Sequence, residues 1–400
     1  MKLRRFLAPL LFCCGIATAQ QTMIGLQFFN ADFNQKANIP GLDGNRKKAT
    51  LRGIRLWDSQ VKWSQVEISK GNYNWAVFDG YIDAAQANQL DVLYTFGSTP
   101  AFASTTVKPP VGCLPPSDFS CAVPKEQDWK DYVTAVVKRY KNRIQFYECW
   151  NEPDYKGFWS GTQTTLALYC KDAAEIIRAN DPAATILSPS YHGGTVKTAF
   201  HTFVNAQKPQ LMFDVLNFHM RSKPNYPPEN FLATWSTIEA QIKVEGLTSY
   251  PVWDDEHGIL KTDNINDPDT LASFVARELL LRASVPIVRQ YVYFWDSPDT
   301  PLGLQLNPSG TAWNTVAGWL QNNSTAAVTI SANGNIYKVG IGKNLALWNA
   351  SKTCAAGFCG TNAYFLGNTK YTTQVDINGV ETPIPADKNV RLGIQPILLK

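Results

Sequence analysis

Short apolar runs rich in β-branched and aromatic residues alternate along this chain with longer stretches whose apolar positions recur at helical spacing. The strand-type runs fall at 23–28, 50–57, 90–96, 144–150, 185–188, 215–218, 251–255 and 290–294. Between them, residues 75–87 place Phe78, Ile82 and Ala85 on one side, and 128–140 place Tyr132, Val133, Val136 and Val137 together. Stretches 166–180, 230–242 and 270–283 behave alike, while Asp79 and Asp83 fall on solvated faces. Eight strand–helix alternations over about 300 residues predict an α/β fold, the (β/α)8 TIM barrel. A doubly wound open sheet is the competing architecture, but no Gly-x-Gly-x-x-Gly turn follows the first run. After Trp319 the helical pattern stops. Strand-type runs at 327–330, 336–341, 345–349, 363–365, 372–377 and 395–399, separated by Gly, Asn and Pro turns, predict a small β-sandwich. The expected organisation is a barrel over 20–325 and a β-sandwich over 326–400, the latter small enough to lean on the barrel for stability.

Composition narrows the partners. The chain has 400 residues, of which 44% are hydrophobic and only 18% charged, so a large core is available and disorder is not expected. The net charge of +4 includes Lys2, Arg4 and Arg5; without those three it is +1, which gives no electrostatic case for nucleic acid or an anionic membrane. Those three cations precede an apolar run at 6–16 and the small residues Ala17-Thr18-Ala19, the layout of a secretory signal peptide spanning 1–19. A lipoprotein reading through Cys13 or Cys14 competes, but Phe12 is bulky where lipid attachment wants a small residue. The run is too short for a stable bilayer span. The mature protein is therefore expected outside the cytoplasm, extracellular or periplasmic, free of the membrane and monomeric.

Six cysteines remain after residue 19. Proximity pairs Cys113 with Cys121 and Cys354 with Cys359 as loop clasps in an oxidising compartment. Cys149 and Cys170, on a strand and the helix after it, are either bonded or two buried thiols. Cys113 and Cys121 would clasp a Pro-rich βα loop at 99–124, and such loops shape the mouth of a barrel.

Chemistry in a barrel sits at the C-terminal ends of strands. The fourth run ends in Trp150-Asn151-Glu152-Pro153 and the seventh in Asp254-Asp255-Glu256-His257-Gly258. Two glutamates would thus share one mouth, as acetal hydrolysis requires: one carboxylic acid protonates the leaving oxygen and a second carboxylate stabilises or attacks the oxocarbenium-like centre. Asn151 adds an amide able to donate to a sugar 2-OH. Trp57, Trp150, Trp159 and Trp295 fall near strand ends, where indole faces can stack on sugars; Trp75, Trp129, Trp235 and Trp313 lie in helical patterns and read as core.

These segments resemble glycoside hydrolase clan A. Besides the two glutamate motifs, Trp63-Ser64-Gln65-Val66-Glu67, Gly71-Asn72-Tyr73-Asn74-Trp75 and Phe78-Asp79 are similar to a signature of that clan, and Gly97-Ser98-Thr99-Pro100-Ala101-Phe102-Ala103 fits after strand three. Within the clan the chain is most similar to the β-xylosidase/α-L-iduronidase family (glycoside hydrolase family 39), over most of 25–319. The resemblance implies a retaining glycosidase that needs no cofactor, with Glu152 as acid/base and Glu256 as nucleophile. It further implies that Arg55 orients Glu256 and lowers its pKa, and that His219 and Trp295 line the sugar pocket. Two positions depart from the clan pattern. Asp255 stands where Thr or Ser is common, and Met220-Arg221 replaces a Tyr after His219, a loss that Tyr291 or Tyr293 could offset.

Other readings compete. Arg55 could be a structural ion-pair partner, and His219 a satisfied core histidine. A metal site in 254–257 is opposed by strand alternation, which would turn Asp254 and Glu256 one way and Asp255 and His257 the other. Glu148, four residues before Glu152, would lie about 13 Å deeper, in the barrel floor. Beyond a glycosidase acting on carbohydrate, the alternatives are a non-catalytic carbohydrate-binding protein on the same scaffold and a metal-dependent hydrolase.

Overall fold

The computed structural model describes residues 23–27, 51–221, 227–258, 265, 267–293, 308–352 and 360–400, together with the backbone of 354–355 and 358–359. The expected signal peptide, any helix between the first two strands, Trp295 and the side chains of Cys354 and Cys359 lie outside the described residues. Strands β1 (Met23–Gln27), β2 (Gly53–Leu56), β3 (Asp91–Thr95), β4 (Phe146–Glu148), β5 (Thr185–Leu187), β6 (Leu216–His219), β7 (Val252–His257) and β8 (Ile287–Val292) form one parallel sheet. Its order is β5-β4-β3-β2-β1-β8-β7-β6. A parallel bridge between Leu187 and Val215 joins the two ends, and the short strand Tyr191–His192 also pairs with β6. The sheet is therefore curled into a barrel.

The interior is built by two-residue alternation. A lower layer of Leu93, Leu187, Val215, Trp253 and Tyr291, with Phe146 against it, fills the barrel with apolar bulk. Gly25 and Gly53 make room for Tyr291: a Cβ on residue 25 would lie 2.3 Å from its ring, and one on residue 53 would lie 3.0 Å from its hydroxyl. Two residues further along the same strands, the layer turns polar: Gln27, Arg55, Thr95, Glu148, Asn217 and Asp255 are all fully buried. The barrel thus has a greasy floor and a charged ceiling at the C-terminal ends of its strands.

Around it lie α1 (Ala76–Ala87), α2 (Glu126–Arg139), α3 (Gln163–Asn180), α4 (His201–Gln207), α5 (Phe231–Glu245), α6 (Pro268–Ala283) and α7 (Pro308–Leu320). The buried face of α2 is Trp129, Tyr132, Val133, Val136 and Val137, the spacing of one helical stripe, and its acidic first turn and basic last turn suit the helix dipole. Helices α3 and α6 begin earlier than their apolar periodicity indicates, because Thr162 and Asp267 cap them by accepting the backbone N–H of Thr165 and Thr270. Among the described residues, no helix is long and apolar enough to cross a membrane.

Beyond α7 come β9 (Thr329–Ile330), β10 (Ile336–Ile341), β11 (Asn344–Asn349), β12 (Cys354–Ala355), β13 (Phe358–Cys359), β14 (Asn362–Phe365), β15 (Thr373–Val375), β16 (Glu381–Pro383), β17 (Asn389–Leu392) and β18 (Ile397–Leu399). Six of them form an antiparallel sheet ordered β9-β10-β11-β18-β15-β16, while β14 pairs with β17 and β12 with β13. Alternation splits the six-stranded sheet into two faces. Val339, Ile341, Ala346, Trp348 and Leu398 join the barrel's core, whereas Ile336, Leu347 and Leu399 pack with Val390 and Leu392 in a second core. The Trp348 indole N–H donates to Glu229 (2.7 Å), which also receives Arg277 of α6 (2.6 and 2.8 Å). That cover accounts for α6 being buried on nearly every side, where a solvent-facing barrel helix would show a polar stripe.

Candidate active site

Strand β4 ends at Glu148, two residues earlier than the sequence pattern predicts, and this reorganises the site. The chain turns sharply, and Glu152 takes a left-handed backbone conformation (φ +42°), a strained state for a non-glycine residue. The Glu152 N–H donates to Ser190 Oγ (3.2 Å), and the Ser190 N–H donates to Glu148 Oε1 (2.9 Å). Glu148 is therefore not a remote floor carboxylate: Ser190 joins it to Glu152 across one turn. Two disulfides brace this corner. Cys149–Cys170 (Cα–Cα 5.4 Å) ties the end of β4 to α3, and Cys113–Cys121 (Cα–Cα 5.1 Å) closes the loop after β3. That loop packs on the segment after Glu152, with Leu114 N–H donating to Gly157 O (3.1 Å) and Ser160 N–H to Cys121 O (2.7 Å).

On β7 the expected alternation breaks. The register against β8 shifts between Asp254 and His257, so Asp255 and Glu256 both turn inward. Asp254 and His257 turn outward, to Arg282 of α6 (2.6 Å) and Glu278 (3.2 Å). The strand-alternation argument about 254–257 therefore fails at this bulge.

Arg55 is the hub. Its Nη1 donates to Glu256 Oε2 (2.8 Å) and Gln27 Oε1 (3.0 Å), and its Nη2 to Glu148 Oε2 (3.0 Å) and Asn151 Oδ1 (2.7 Å). Its Nε lies 2.8 Å from Asp255 Oδ2. With its oxygen held by Arg55, Asn151 is left with its NH2 to offer a ligand. His219 bridges the opposite side, with Nδ1 2.6 Å from Glu152 Oε1 and 4.0 Å from Glu256 Oε2, and Nε2 2.9 Å from Asp255 Oδ1. Carboxylate oxygens of Glu152 and Glu256 lie within 4.8 Å of each other.

His192, which the sequence pattern did not single out, completes the cluster. Its Nε2 lies 3.0 Å from Glu152 Oε1 and its Nδ1 3.0 Å from Asp154 Oδ2. Asp154 is itself fixed by the His192 N–H and the Thr195 hydroxyl. A signal was present: His192 is one of only four histidines and lies shortly after the fifth strand run, where a barrel exposes chemistry. The remaining candidates are placed unequally. Tyr293 is half-buried and donates to Asp58 Oδ2 (2.8 Å), whereas Tyr291 is inside the barrel and does not reach the mouth. Trp57 is only 2% exposed, packed beneath Lys62 and beside Gly97, and Trp150 and Trp159 are fully buried against Trp129 and each other. The rigid turn that projects Glu152 rests on these two indoles, so they build the wall of the mouth and do not offer a sugar platform.

Four carboxylates (Glu148, Glu152, Asp255, Glu256) surround Arg55 and two imidazoles. This excess of negative charge governs the protonation states. Burial opposes charge on His219, yet Glu256 and Glu152 hold its pKa well above the usual histidine value. His192 is likewise raised, to about 10, because Asp154 and Glu152 outweigh its burial. Burial favours a neutral Glu152, but the two imidazolium neighbours bring it well below the ordinary carboxylate range. Burial raises Glu148 to about 7, with Asp255 adding to the effect, while Asp255 is lowered to about 2 because Arg55 overcomes its burial. Glu256 ends above its ordinary value: burial and Glu152 prevail over His219 and Arg55. Arg55 thus pulls Glu256 downward, as the sequence reading expects, without prevailing. Two triads, Glu148/His219/Asp255 and Glu152/His219/Glu256, bring ligand-type atoms within 4.8 Å. Arg55 already supplies the cation on three of the carboxylates, Glu148, Asp255 and Glu256.

Residues 42–267, more than half of the chain, match the family model described as Cellulase (glycosyl hydrolase family 5). No curated protein matches the sequence. Among solved structures, a family 39 glycoside hydrolase from the gut symbiont Bacteroides cellulosilyticus WH2 aligns over 96% of this chain and 82% of its own, at TM-score 0.70 and 19% identity. A monomeric β-xylosidase from Caulobacter crescentus CB15 aligns over 95% and 97% at TM-score 0.61 and 14% identity. A GH30 endoxylanase from Clostridium papyrosolvens C71 aligns over 96% and 97% at TM-score 0.62 and 14% identity. At such identities the likeness is one of fold.

Proposed function

The chain belongs to the cellulase family, glycosyl hydrolase family 5 of clan A, and from that premise we propose that it is a secreted, retaining β-glycosidase acting on polysaccharide or its oligomers by double displacement. The carrying observation is the approach of Glu152 and Glu256 oxygens to within 4.8 Å. Retaining enzymes hold their carboxyl groups about 5–5.5 Å apart, whereas inverting enzymes leave room for a water at about 6.5–9.5 Å. In this reading residues 20–325 form the catalytic barrel and 326–400 its accessory sheet.

Glu256 attacks the anomeric carbon while Glu152 gives its proton to the departing glycosidic oxygen. The C–O bond to the leaving sugar breaks and an ester to Glu256 forms. Water then attacks the anomeric carbon, losing a proton to the Glu152 carboxylate, displacing the Glu256 carboxylate and releasing the sugar with its original configuration. Arg55 fixes the attacking oxygen of Glu256 and the amide of Asn151 in one frame, so the Asn151 NH2 meets a 2-OH where that contact strengthens in the transition state. The positive charge beside Glu152 sits on His219 and His192. Glu152 must hold its proton against that field while Glu256 is ionised against its burial, so the reacting form is the minor one of the singly protonated pair.

A 2-fluoro glycoside with a good leaving group should glycosylate Glu256, readable by peptide mass. In a Glu152→Ala variant, azide should restore turnover and yield the β-glycosyl azide. Label on another residue, or an α-configured azide product, would overturn the assignment. Aryl β-xylosides and β-glucosides screened beside polymeric xylan and glucans identify the sugar.

A further inference from the structure

The C-terminal sheet carries a cavity of its own, about 520 Å³, between the β9–β10 turn, the end of β11 and the β14–β17 pair. That volume is in the range of small-ligand sites. Its floor is apolar, formed by Ile336 and Leu392 of the second core, so the cavity is built on the layer between the two sheets and not on the face that covers the barrel. Its walls carry amides and hydroxyls, and among the described residues none that lines it is Asp, Glu, Lys, Arg or His.

The amides are oriented. Asn349 is buried, and its Oδ1 accepts from the Ser351 N–H (3.1 Å) and hydroxyl (2.7 Å). Asn333 Oδ1 accepts from the Ser331 hydroxyl (2.6 Å) and the Asn335 N–H (3.2 Å). With both carbonyl oxygens engaged by the protein, each side chain has its NH2 left as the group to offer. Tyr364 adds a half-buried aromatic ring at the wall. A wall without ionic groups cannot repay the desolvation of a phosphate, carboxylate or ammonium ligand. A neutral polyol fits: hydroxyls accept from the amides, and the C–H face of a pyranose ring lies on the apolar floor and the tyrosine.

The geometry points to a second carbohydrate-binding site, in this cavity, that holds a neutral oligosaccharide chain on the accessory sheet. It goes beyond the hydrolytic reading and does not use the barrel's residues. Tethered to the barrel, it raises the local concentration of polymer at the catalytic mouth without new catalytic contacts.

The test uses the full chain carrying Glu256→Gln, titrated calorimetrically with xylohexaose and with cellohexaose. Two sites per chain are expected for at least one sugar, falling to one with Tyr364→Ala or with the exposed Asn362→Ala. In the chain with Glu256 intact, the same two substitutions should lower turnover of polymer three- to tenfold and leave kcat/KM on an aryl β-glycoside within twofold. One site in every variant, or a second site untouched by both substitutions, overturns the proposal. So does a second site filled equally well by glycerol. Because binding is read without turnover, a chain that hydrolysed no glycoside would refute the catalytic reading and leave this one standing or falling on its own stoichiometry.

Discussion

Replacing His192 with asparagine removes one of the two cations that face the Glu152 carboxyl. The His192 Nε2 to Glu152 Oε1 separation is 3.0 Å, whereas His219, at 2.6 Å from the same oxygen, stays in place. A hydrogen bond to a charged group is worth about 1.5–3 kcal/mol. His192's side chain is 38% exposed, so solvent screening trims this to about 1.4 kcal/mol, or about one pKa unit. The sign follows from the charge. The imidazolium favours ionised Glu152 and holds its pKa down, so its removal raises that pKa. More of the singly protonated pair then carries its proton on Glu152, so the acidic limb of kcat/KM should move up by about one unit and the plateau should rise by up to about tenfold. Asp154→Asn, which weakens the raised basicity of His192, should move it the same way by less. The assay compares pH profiles on two aryl β-glycosides, one with a poor leaving group that needs protonation and a 2,4-dinitrophenyl one that leaves unaided. The shift should appear with the first and vanish with the second. A stationary or lowered acidic limb, or equal shifts with both substrates, would refute the argument that His192 sets the acid's proton affinity.

Arg55→Met would leave Glu148, Asp255 and Glu256 buried without their shared guanidinium; destabilisation of about 3–5 kcal/mol in urea and at least about a hundredfold lower kcat/KM are expected, and Arg55→Lys should recover stability better than activity because an ammonium cannot reproduce the fork. Gly25→Ala drives a methyl to 2.3 Å from the Tyr291 ring, so a loss of about 1–3 kcal/mol is expected; an unchanged urea midpoint would show that Tyr291 can swing aside. Opening Cys149–Cys170, which spans 21 residues, should cost about 3 kcal/mol by the loop-entropy estimate, read as a lower midpoint in reductant that a Cys149→Ala/Cys170→Ala double variant reproduces.

Much of the barrel was legible in sequence because strand and helix announce themselves through local periodicity. The run at 90–96 declares a strand buried on both faces, and the run at 336–341 and the α2 stripe need only their own residues to declare which face is buried. Helix α4 escaped because it is short and follows an irregular turn at Val196–Phe200. The two glutamate motifs were legible too, since each follows a strand run. What sequence could not supply was where side chains turn at irregular backbone. A period of two sends Asp255 and Glu256 apart, but the register shift in β7 sends both to Arg55. Full extension puts Glu148 far below Glu152, but β4 stops early and the positive φ at Glu152 folds the chain back over it. His192 joins the site only because β5 pairs in parallel with β4, which brings the segment after β5 beside the one after β4. The sequence by itself determined the elements, their order and the chemical types available at the mouth, because those are properties of neighbours along the chain. The tertiary structure decided which of these groups share protons and charge. Such coupling depends on separations of a few ångströms between residues as distant in sequence as Arg55 and Glu256, and no local pattern encodes them.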